Sequence, residues 1–366
     1  MLDCARVLIV DDSRIFRGAI QEALCGEHDV AVVGSVFSGS KALEFIRATP
    51  PDLVTLDVEM PGLDGLQTLK AIQDFNRTQP AGREVGVLMV SAFTRRGADI
   101  TVQALQAGAF DFITKPSSSS AAESHAALRD ELLAKIRTFI ARRRGGSVSA
   151  SPPTRALPDV VHRTTSPWTA RAVLVAASTG GPRALATLLP DLAARITIPI
   201  LIVQHMPAEL TRSLSENLGR QARCTVVEAG DGQTIQPRTV YVAPGGKHLV
   251  LRKTAAHQLT TGWSDQPPEC GCRPSANVLF RSAAAALGGQ VIAVILTGMG
   301  NDGTAGVAPL KRAGGYVLVQ DEASSVVWGM PGSVVAAGLA DAVLPLSGIP
   351  AAVQELLDRR AGSSAG

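Results

Sequence analysis

The chain is poor in aromatic residues, has few cysteines and shows almost no excess of charge. Aromatics are 4% of 366 residues, too few for a protein that stacks bases or sugars on aromatic platforms. Lys and Arg number 35 against 32 Asp and Glu, a net of +3. That balance argues against nucleic-acid binding by bulk charge. No run of 18 apolar residues occurs, so no membrane insertion is expected. The opening apolar stretch is short and exits into Asp11-Asp12, which is wrong for a secretory signal. The five cysteines, Cys4, Cys25, Cys224, Cys270 and Cys272, are odd in number and scattered. They read as reduced thiols of a cytoplasmic protein. No G-x-x-x-x-G-K-[ST] is present, so a nucleotide P-loop is disfavoured.

What is abundant is apolar. Hydrophobic residues are 46% and charged residues 18%, the balance of a globular protein with a sizeable core. At about 150 residues per domain, the length suggests two or three domains. Charge divides the chain into three parts. Residues 1–118 hold 15 acids and 11 bases, 119–168 hold 4 and 8, and 169–366 hold 13 and 16. The middle part begins in a serine run, carries a helical stretch near 121–143 and ends rich in Ser, Pro, Thr and Gly, a linker composition. The expected boundaries are 1–120 for a first domain, 121–168 for a helix end and linker, and 169–362 for a second domain.

The first domain alternates apolar runs with amphipathic segments. Candidate strands are Arg6–Val10, Val30–Gly34, Leu53–Asp57, Val85–Val90 and Phe110–Thr114. This is the βαβ pattern of a parallel sheet. The second domain repeats it at Ala172–Ala176, Ile198–Val203, Thr239–Ala243, Val291–Leu296 and Tyr316–Val319, with a possible hairpin at His248–Arg252 and Gln258–Thr261. The expected fold is α/β: two doubly wound domains, the first a flavodoxin-like five-stranded parallel sheet, the second mostly parallel. In such sheets the site lies at the carboxyl ends of the strands.

In the first domain those ends carry Asp11, Asp12, Asp57, Ser91 and Lys115. Three converging carboxylates call for a hard cation, and Mg²⁺ suits oxygen ligands. With the charge neutralised, one carboxylate can attack a phosphoryl group, while Ser91 and Lys115 contact its oxygens. In the second domain "VLVAASTGGP" sets Ser178 at a strand-to-helix turn, "PILIVQHMP" sets His205 past the next apolar run, and "VIAVILTGMGNDG" sets Asp302 in a glycine-rich loop. Singly, each has a plain reading as a cap, a surface polar group or a turn residue. Together they compose a nucleophile, a base and an orienting acid.

The segments "VLIVDDSRIFR", "PDLVTLDVEMPGLDGL", "VLMVSAFT" and "AFDFITKPS" resemble a response-regulator receiver domain over about residues 5–118. The resemblance implies Asp57 as phosphoacceptor and Mg²⁺ held by Asp12, Asp57 and the backbone carbonyl of Glu59, with Asp11 acting through water. It also implies Ser91 and Phe110 as a switch pair, Lys115 as the phosphate contact, and a cis bond at Lys115–Pro116. With "AASTGGP", "VQHMP", "VYVAPGGKHL", "RPSANVLF", "ILTGMGNDG" and "QDEASSVVWGMP", the chain is similar to the chemotaxis protein-glutamate methylesterases that carry an N-terminal receiver.

That resemblance implies Ser178 as nucleophile, His205 as general acid and base and Asp302 as its orienting group, with Thr179 and Met299 near the oxyanion. The implied substrates are γ-glutamyl methyl esters, and glutamines, of methyl-accepting chemotaxis receptors. The implied phosphodonor is a chemotaxis histidine kinase, and the unphosphorylated receiver restrains the esterase. The esterase step itself is expected to need no cofactor. An alternative is a receiver-gated hydrolase of the same fold acting on a non-chemotaxis sensor. Two departures stand out. Glu269-Cys270-Gly271-Cys272-Arg273 differs from much of the family, and Asn277 stands where Asp is frequent, which bears on substrate docking. Cys270 and Cys272 read as loop thiols, and His248 and His257 as surface groups.

Overall fold

Strand β3 (Leu53–Asp57) is buried at all five positions and β4 (Gly86–Ser91) at all six. Such unbroken apolar runs belong in the middle of a parallel sheet covered on both faces. A computed structural model describes residues 4–80, 82–92, 94–115, 121–143 and 169–361. In it β1 (Ala5–Val10), β2 (Val30–Val36), β3, β4 and β5 (Asp111–Thr114) form one sheet in the order β2-β1-β3-β4-β5, every pairing parallel. Helices α1 (Arg14–Leu24), α2 (Gly39–Ala48), α3 (Gly65–Asn76) and α4 (Arg95–Ala107) connect them. The order reverses beside β1, so the crevice at the carboxyl ends of β1 and β3 is the expected site.

The helix starts are set by side chains. Ser13 caps α1, and Asp64 with Gln67 forms a capping box on α3, satisfying amides that the helix leaves without partners. Gly65 lets α3 begin hard against the end of β3. A Cβ there would lie 2.3 Å from the Asp57 carbonyl oxygen.

Helix α5 (Ala121–Arg143) was expected within the connecting segment. Instead Leu128, Leu132, Leu133 and Ile136 pack into one core with Val7, Ile9 and Leu88. Their spacing places them on one helix face, and the first domain therefore includes this helix. The chain divides into two compact units, Met1–Ala150 and Ser151–Gly366. The Pro/Ser/Gly-rich stretch, Trp168 and Pro116 with its peptide bond lie outside the described residues.

The second unit is built on β6 (Ala172–Ala177), β7 (Ile200–Gln204), β8 (Thr225–Glu228), β9 (Thr239–Val242), β12 (Val291–Ile295), β13 (Tyr316–Gln320) and β14 (Ala342–Leu344). Their order is β14-β13-β12-β6-β7-β9-β8 and every pairing is parallel. Strands β10 (His248–Lys253) and β11 (Leu259–Ser264) form a separate antiparallel hairpin. Helices α6 (Gly181–Arg195), α7 (Ala208–Ala222), α8 (Ala276–Leu287), α9 (Thr304–Arg312), α10 (Gly329–Ala336) and α11 (Ile349–Ala361) complete the unit. The chain winds outward from β6 to one side and returns to the other through β12. The switch point therefore falls at β6, flanked by β7 and β12. Strand β8, strand β14 and helix α10 were not expected. The two strands are short and partly exposed, and α10 reads GMPGSVVA, with Pro and Gly inside it.

Candidate active site

Ser178 leaves β6, a strand buried at all six positions. Its amide donates to the Thr297 carbonyl at 3.0 Å, and its own carbonyl accepts from Gly181 at 2.7 Å. Gly180 turns the chain with φ +78°, a value that suits glycine. Gln204, the last residue of β7, donates from Nε2 to the Ser178 carbonyl at 3.0 Å and the His205 carbonyl at 3.3 Å. It thus ties the Ser turn to the His turn. Gln204 was missed at the sequence level; the signal available was a polar residue closing an otherwise apolar strand.

Asp302 is buried and densely held. Oδ1 accepts from the Ser275 hydroxyl at 2.7 Å, the Gly303 amide at 2.9 Å and the Asn277 amide at 3.1 Å. Oδ2 accepts from the Ala276 amide at 2.7 Å and faces His205 Nε2 at 2.7 Å. Ala276 and Asn277 open α8, so the carboxylate sits on a helix N-terminus, where amides and dipole favour an anion. Burial works against its charge, but the bond from His205 and these donors hold its pKa below the ordinary carboxylate value. An ionised carboxylate only accepts, so the Nε2 proton belongs to His205.

His205 Nδ1 is met by Cys272 Sγ at 3.5 Å. Burial alone would lower the imidazole pKa. The bonds to Asp302 and Cys272 outweigh it and push the value up to about 9. Among the described residues no hydrogen bond joins the Ser178 hydroxyl to His205, so the expected three-part relay is present as a His–Asp pair with Ser178 on the neighbouring turn. Cys272 is thus not a plain loop thiol.

Two further expectations are corrected. His248 is fully buried: Nδ1 accepts from the Ser275 amide at 3.2 Å and Nε2 meets the Pro267 carbonyl at 3.1 Å. It braces the residue that caps Asp302. Asn277 is 1% exposed, and its Oδ1 accepts from Gly303 at 3.0 Å and Gly306 at 2.7 Å. An amide oxygen serves there, so Asn277 shapes the Asp302 loop rather than a docking surface. His257 is exposed, as expected.

Thr179 is buried beside Ser178, and its carbonyl accepts from the Thr297 hydroxyl at 2.9 Å. Gly298 lies so close that a Cβ would stand 2.8 Å from the Ser178 Cβ. Met299, next along, is 39% exposed. Thr179 thus belongs to the Ser178 turn, and Met299 follows the glycine that packs against it.

In the first unit, carboxylate oxygens of Asp11, Asp12 and Asp57 lie within 4.8 Å of one another. Asp11 and Asp57 are buried and Asp12 is exposed. Lys115 Nζ reaches Asp11 Oδ2 at 2.7 Å and Asp57 Oδ2 at 2.8 Å, and lies 4.8 Å from the centre of the Phe16 ring. Burial is the main cause pushing the Asp57 carboxyl up to about 6; Lys115 opposes it, and the charge of Asp11 adds to it. One lysine does not balance three carboxylates, and an all-oxygen cluster of this kind fits Mg²⁺. The Glu59 amide points to Asp57 Oδ1 at 3.4 Å. Ser91 is buried at the end of β4, with Lys115 donating its amide to the Ser91 carbonyl at 2.7 Å. Phe110 packs edge-on against Phe139 at 5.1 Å.

Comparison with known proteins bears on both units. Residues 173–353 match the CheB methylesterase family and residues 7–127 the response regulator receiver domain. A protein-glutamate methylesterase/protein-glutamine glutaminase of Nocardioides sp. is 42% identical over 347 residues, covering 93% of this chain and 92% of the relative. One of the same name from Trichodesmium erythraeum is 42% identical over 346 residues, covering 93% and 96%. The chain belongs to the protein-glutamate methylesterase/protein-glutamine glutaminase family. The crystal structure of the Thermotoga maritima CheB methylesterase catalytic domain aligns with TM-score 0.50 and 40% identity, covering 51% of this chain and 99% of that one.

Within this family the second unit is the hydrolase and the first the receiver. No helix of the described residues is long and apolar enough to cross a membrane.

Proposed function

We propose that this protein removes methyl groups from glutamate methyl esters on methyl-accepting chemotaxis receptors, and deamidates receptor glutamines, with Ser178 as nucleophile. The observation that supports this most is the 2.7 Å His205–Asp302 pair, seated on the start of α8 beside the Ser178 turn at the switch point of the sheet.

Asp302 keeps Nε2 protonated, so Nδ1 is the nitrogen left to accept a proton. When an ester carbonyl reaches Ser178, the hydroxyl proton passes to Nδ1 and the oxygen attacks. Such contacts often tighten only on substrate binding. Thr179 and Met299 border the carbonyl oxygen. The imidazolium returns the proton to methanol, or to ammonia from an amide. Water, deprotonated by His205, then cleaves the acyl-serine and leaves a glutamate.

In the receiver, Asp57 takes a phosphoryl group from a chemotaxis histidine kinase. Asp11, Asp12, Asp57 and the Glu59 carbonyl would hold Mg²⁺, which when bound neutralises the cluster and polarises the phosphoryl group. Lys115 and Ser91 contact the transferred oxygens, and Phe110 follows Ser91 as the second half of the switch. Phosphorylation releases the restraint on the esterase. A protein that serves these receptors and this kinase works in the cytoplasm.

The test is methanol release from receptor membranes carrying radiolabelled methyl esters, with and without acetyl phosphate and Mg²⁺. Release that disappears in Ser178→Ala, and rises with phosphodonor in wild type but not in Asp57→Asn, is the expected result. Undiminished release from Ser178→Ala would refute the assignment.

A further inference from the structure

Neither proposed reaction uses the contact between Cys272 and His205, yet it is a built contact. Residues 269–272 form a tight turn in which Glu269 and Cys272 exchange both backbone hydrogen bonds, at 3.1 and 3.0 Å. The central residues Cys270 and Gly271 have φ of +53° and +75°, two left-handed residues in succession as in a type I′ turn. Cys270 is an unusual occupant of that conformation. The turn is pinned to α8 by a two-pronged ion pair between Glu269 and Arg281, one prong at 2.8 Å. Helix α8 also seats Asp302. The Cys272 thiol is thus fixed in the same frame as the pair it addresses.

The chemistry follows from the proton positions. Asp302 holds Nε2–H, so in the neutral imidazole Nδ1 is the nitrogen that faces the thiol, at 3.5 Å, and can take its proton. The carboxylate that would support an imidazolium when Ser178 is deprotonated does the same when Cys272 is. A thiol gives up its proton far more readily than a hydroxyl, and the thiolate is the stronger nucleophile. Cys272 is partly exposed, so small solutes can reach it.

We propose that Cys272 is an oxidisable thiol coupled to His205, and that hydroperoxides oxidise it to a sulfenic acid that shuts off ester hydrolysis. The Cys272 proton moves to Nδ1, and sulfur attacks one peroxide oxygen. The O–O bond breaks, and the departing hydroxide takes the proton from Nδ1 and leaves as water, or the departing alkoxide as an alcohol. Sulfur is oxidised by two electrons and the peroxide is reduced. The sulfenic hydroxyl then stands against Nδ1 and denies Ser178 its base. A thiol reductant restores the cysteine. The loss of activity rests on the proposed roles of Ser178 and His205; the oxidation rests on the contact alone.

The experiment uses the full chain, hydrogen peroxide, a cyclic 1,3-diketone that traps sulfenic acids, and peptide mapping. Cys25, exposed and in the other unit, is the internal standard. Cys272 is expected to be trapped about tenfold faster than Cys25, because Nδ1 of His205 stands within reach of its proton. In parallel samples without the diketone, methanol release should fall with the same rate constant and return with dithiothreitol. His205→Gln removes the group that takes the proton and should slow trapping at Cys272 about tenfold while leaving Cys25 unchanged, with a melting curve to show that the variant is folded. Whatever activity Cys272→Ala retains should resist peroxide. Trapping at Cys272 no faster than at Cys25, or equally fast in His205→Gln, overturns the proposal. Full trapping with undiminished methanol release overturns its inhibitory half. An untreated protein that releases no methanol counts against the esterase reading, and the trapping rates still judge the thiol.

Discussion

Asp302 and His205 meet at 2.7 Å through Oδ2 and Nε2, while the same carboxylate accepts from the Ser275 hydroxyl and from the first amides of α8. The acid is therefore a strut between a helix end and the base. Asp302→Asn keeps the shape but can offer a donor where only an acceptor works. By analogy with other orienting carboxylates, kcat should fall about 10³–10⁴-fold with little change in KM. Ser275→Ala removes one bond to the carboxylate and should lower stability by about 1 kcal/mol, with a far smaller loss of kcat. Steady-state kinetics on receptor membranes and thermal melts check both; a Ser275→Ala variant as inactive as Asp302→Asn would contradict this division of roles.

The imidazole of His205 is pushed up to about 9 by Asp302 and Cys272 against the effect of burial. A general base must be neutral to act, so the acid limb of kcat/KM should lie well above the ordinary histidine range, with activity rising toward pH 9. Cys272→Ala removes one cause of the upward shift, so the limb should move to lower pH. For stability, the folded pKa exceeds the unfolded one. The contribution of the pair is thus complete below about 6.5 and is lost as pH rises through about 9. An unchanged pH–rate profile in Cys272→Ala would show that the base does not sense the thiol.

Much of this was legible in the residue order, and the reasons are physical. Parallel strands covered on both faces are continuous apolar runs, so Leu53–Asp57 was found to the residue. Chemistry at the carboxyl ends follows from the fold, so Asp57, Ser178, His205 and Asp302 could be marked together as candidates, and the family resemblance supplied the role expected of each. What failed was whatever depends on long-range packing. His248 looks like a hairpin surface residue until Ser275, 27 positions on, folds over it. The helix over 121–143 looked like part of a linker because polar residues mask the stripe from Leu128 to Ile136 that packs on Val7 and Ile9. Cys272 lies outside every motif, and Gln204 stands inside "VQHMP" with no signal of its own; only their distances to His205 and Ser178 give them a role.

Asp57 has a carboxyl pushed up to about 6, chiefly by burial, while the same group in an unfolded chain titrates near 3.8. Its ionisation therefore costs the folded receiver above pH 6, and the cost fades as pH falls from 6 to about 3.8. Asp57→Asn abolishes it. At pH 7.5 without divalent cation this variant should be more stable than wild type by roughly 1–3 kcal/mol. Added Mg²⁺ should stabilise wild type more at pH 7.5 than at pH 5, because the ion competes with the proton, and should stabilise Asp57→Asn less. Melting curves at the two pH values decide it; a Mg²⁺ effect independent of pH and of residue 57 would place the cation elsewhere.

Gln204 offers the sharpest separation of positioning from chemistry, because it touches only the backbone of the reacting residues. Its Nε2 spans the carbonyls of Ser178 and His205, and Gly181 leaves room for the amide: a Cβ there would stand 1.9 Å from Gln204 Oε1. Gln204→Leu should leave those carbonyls without their donor, at a stability loss of about 1–3 kcal/mol. The two turns would then be set apart by loop packing alone, and a displacement near 1 Å between nucleophile and base lowers kcat about 10²-fold. The pH profile should keep its shape, since neither the His205 imidazole nor the Asp302 carboxylate loses a partner. A Gln204→Leu enzyme with wild-type kcat would mean that the strands hold the two turns in register without it, whereas a shifted acid limb would mean that Gln204 acts on the charge of His205 rather than on its place.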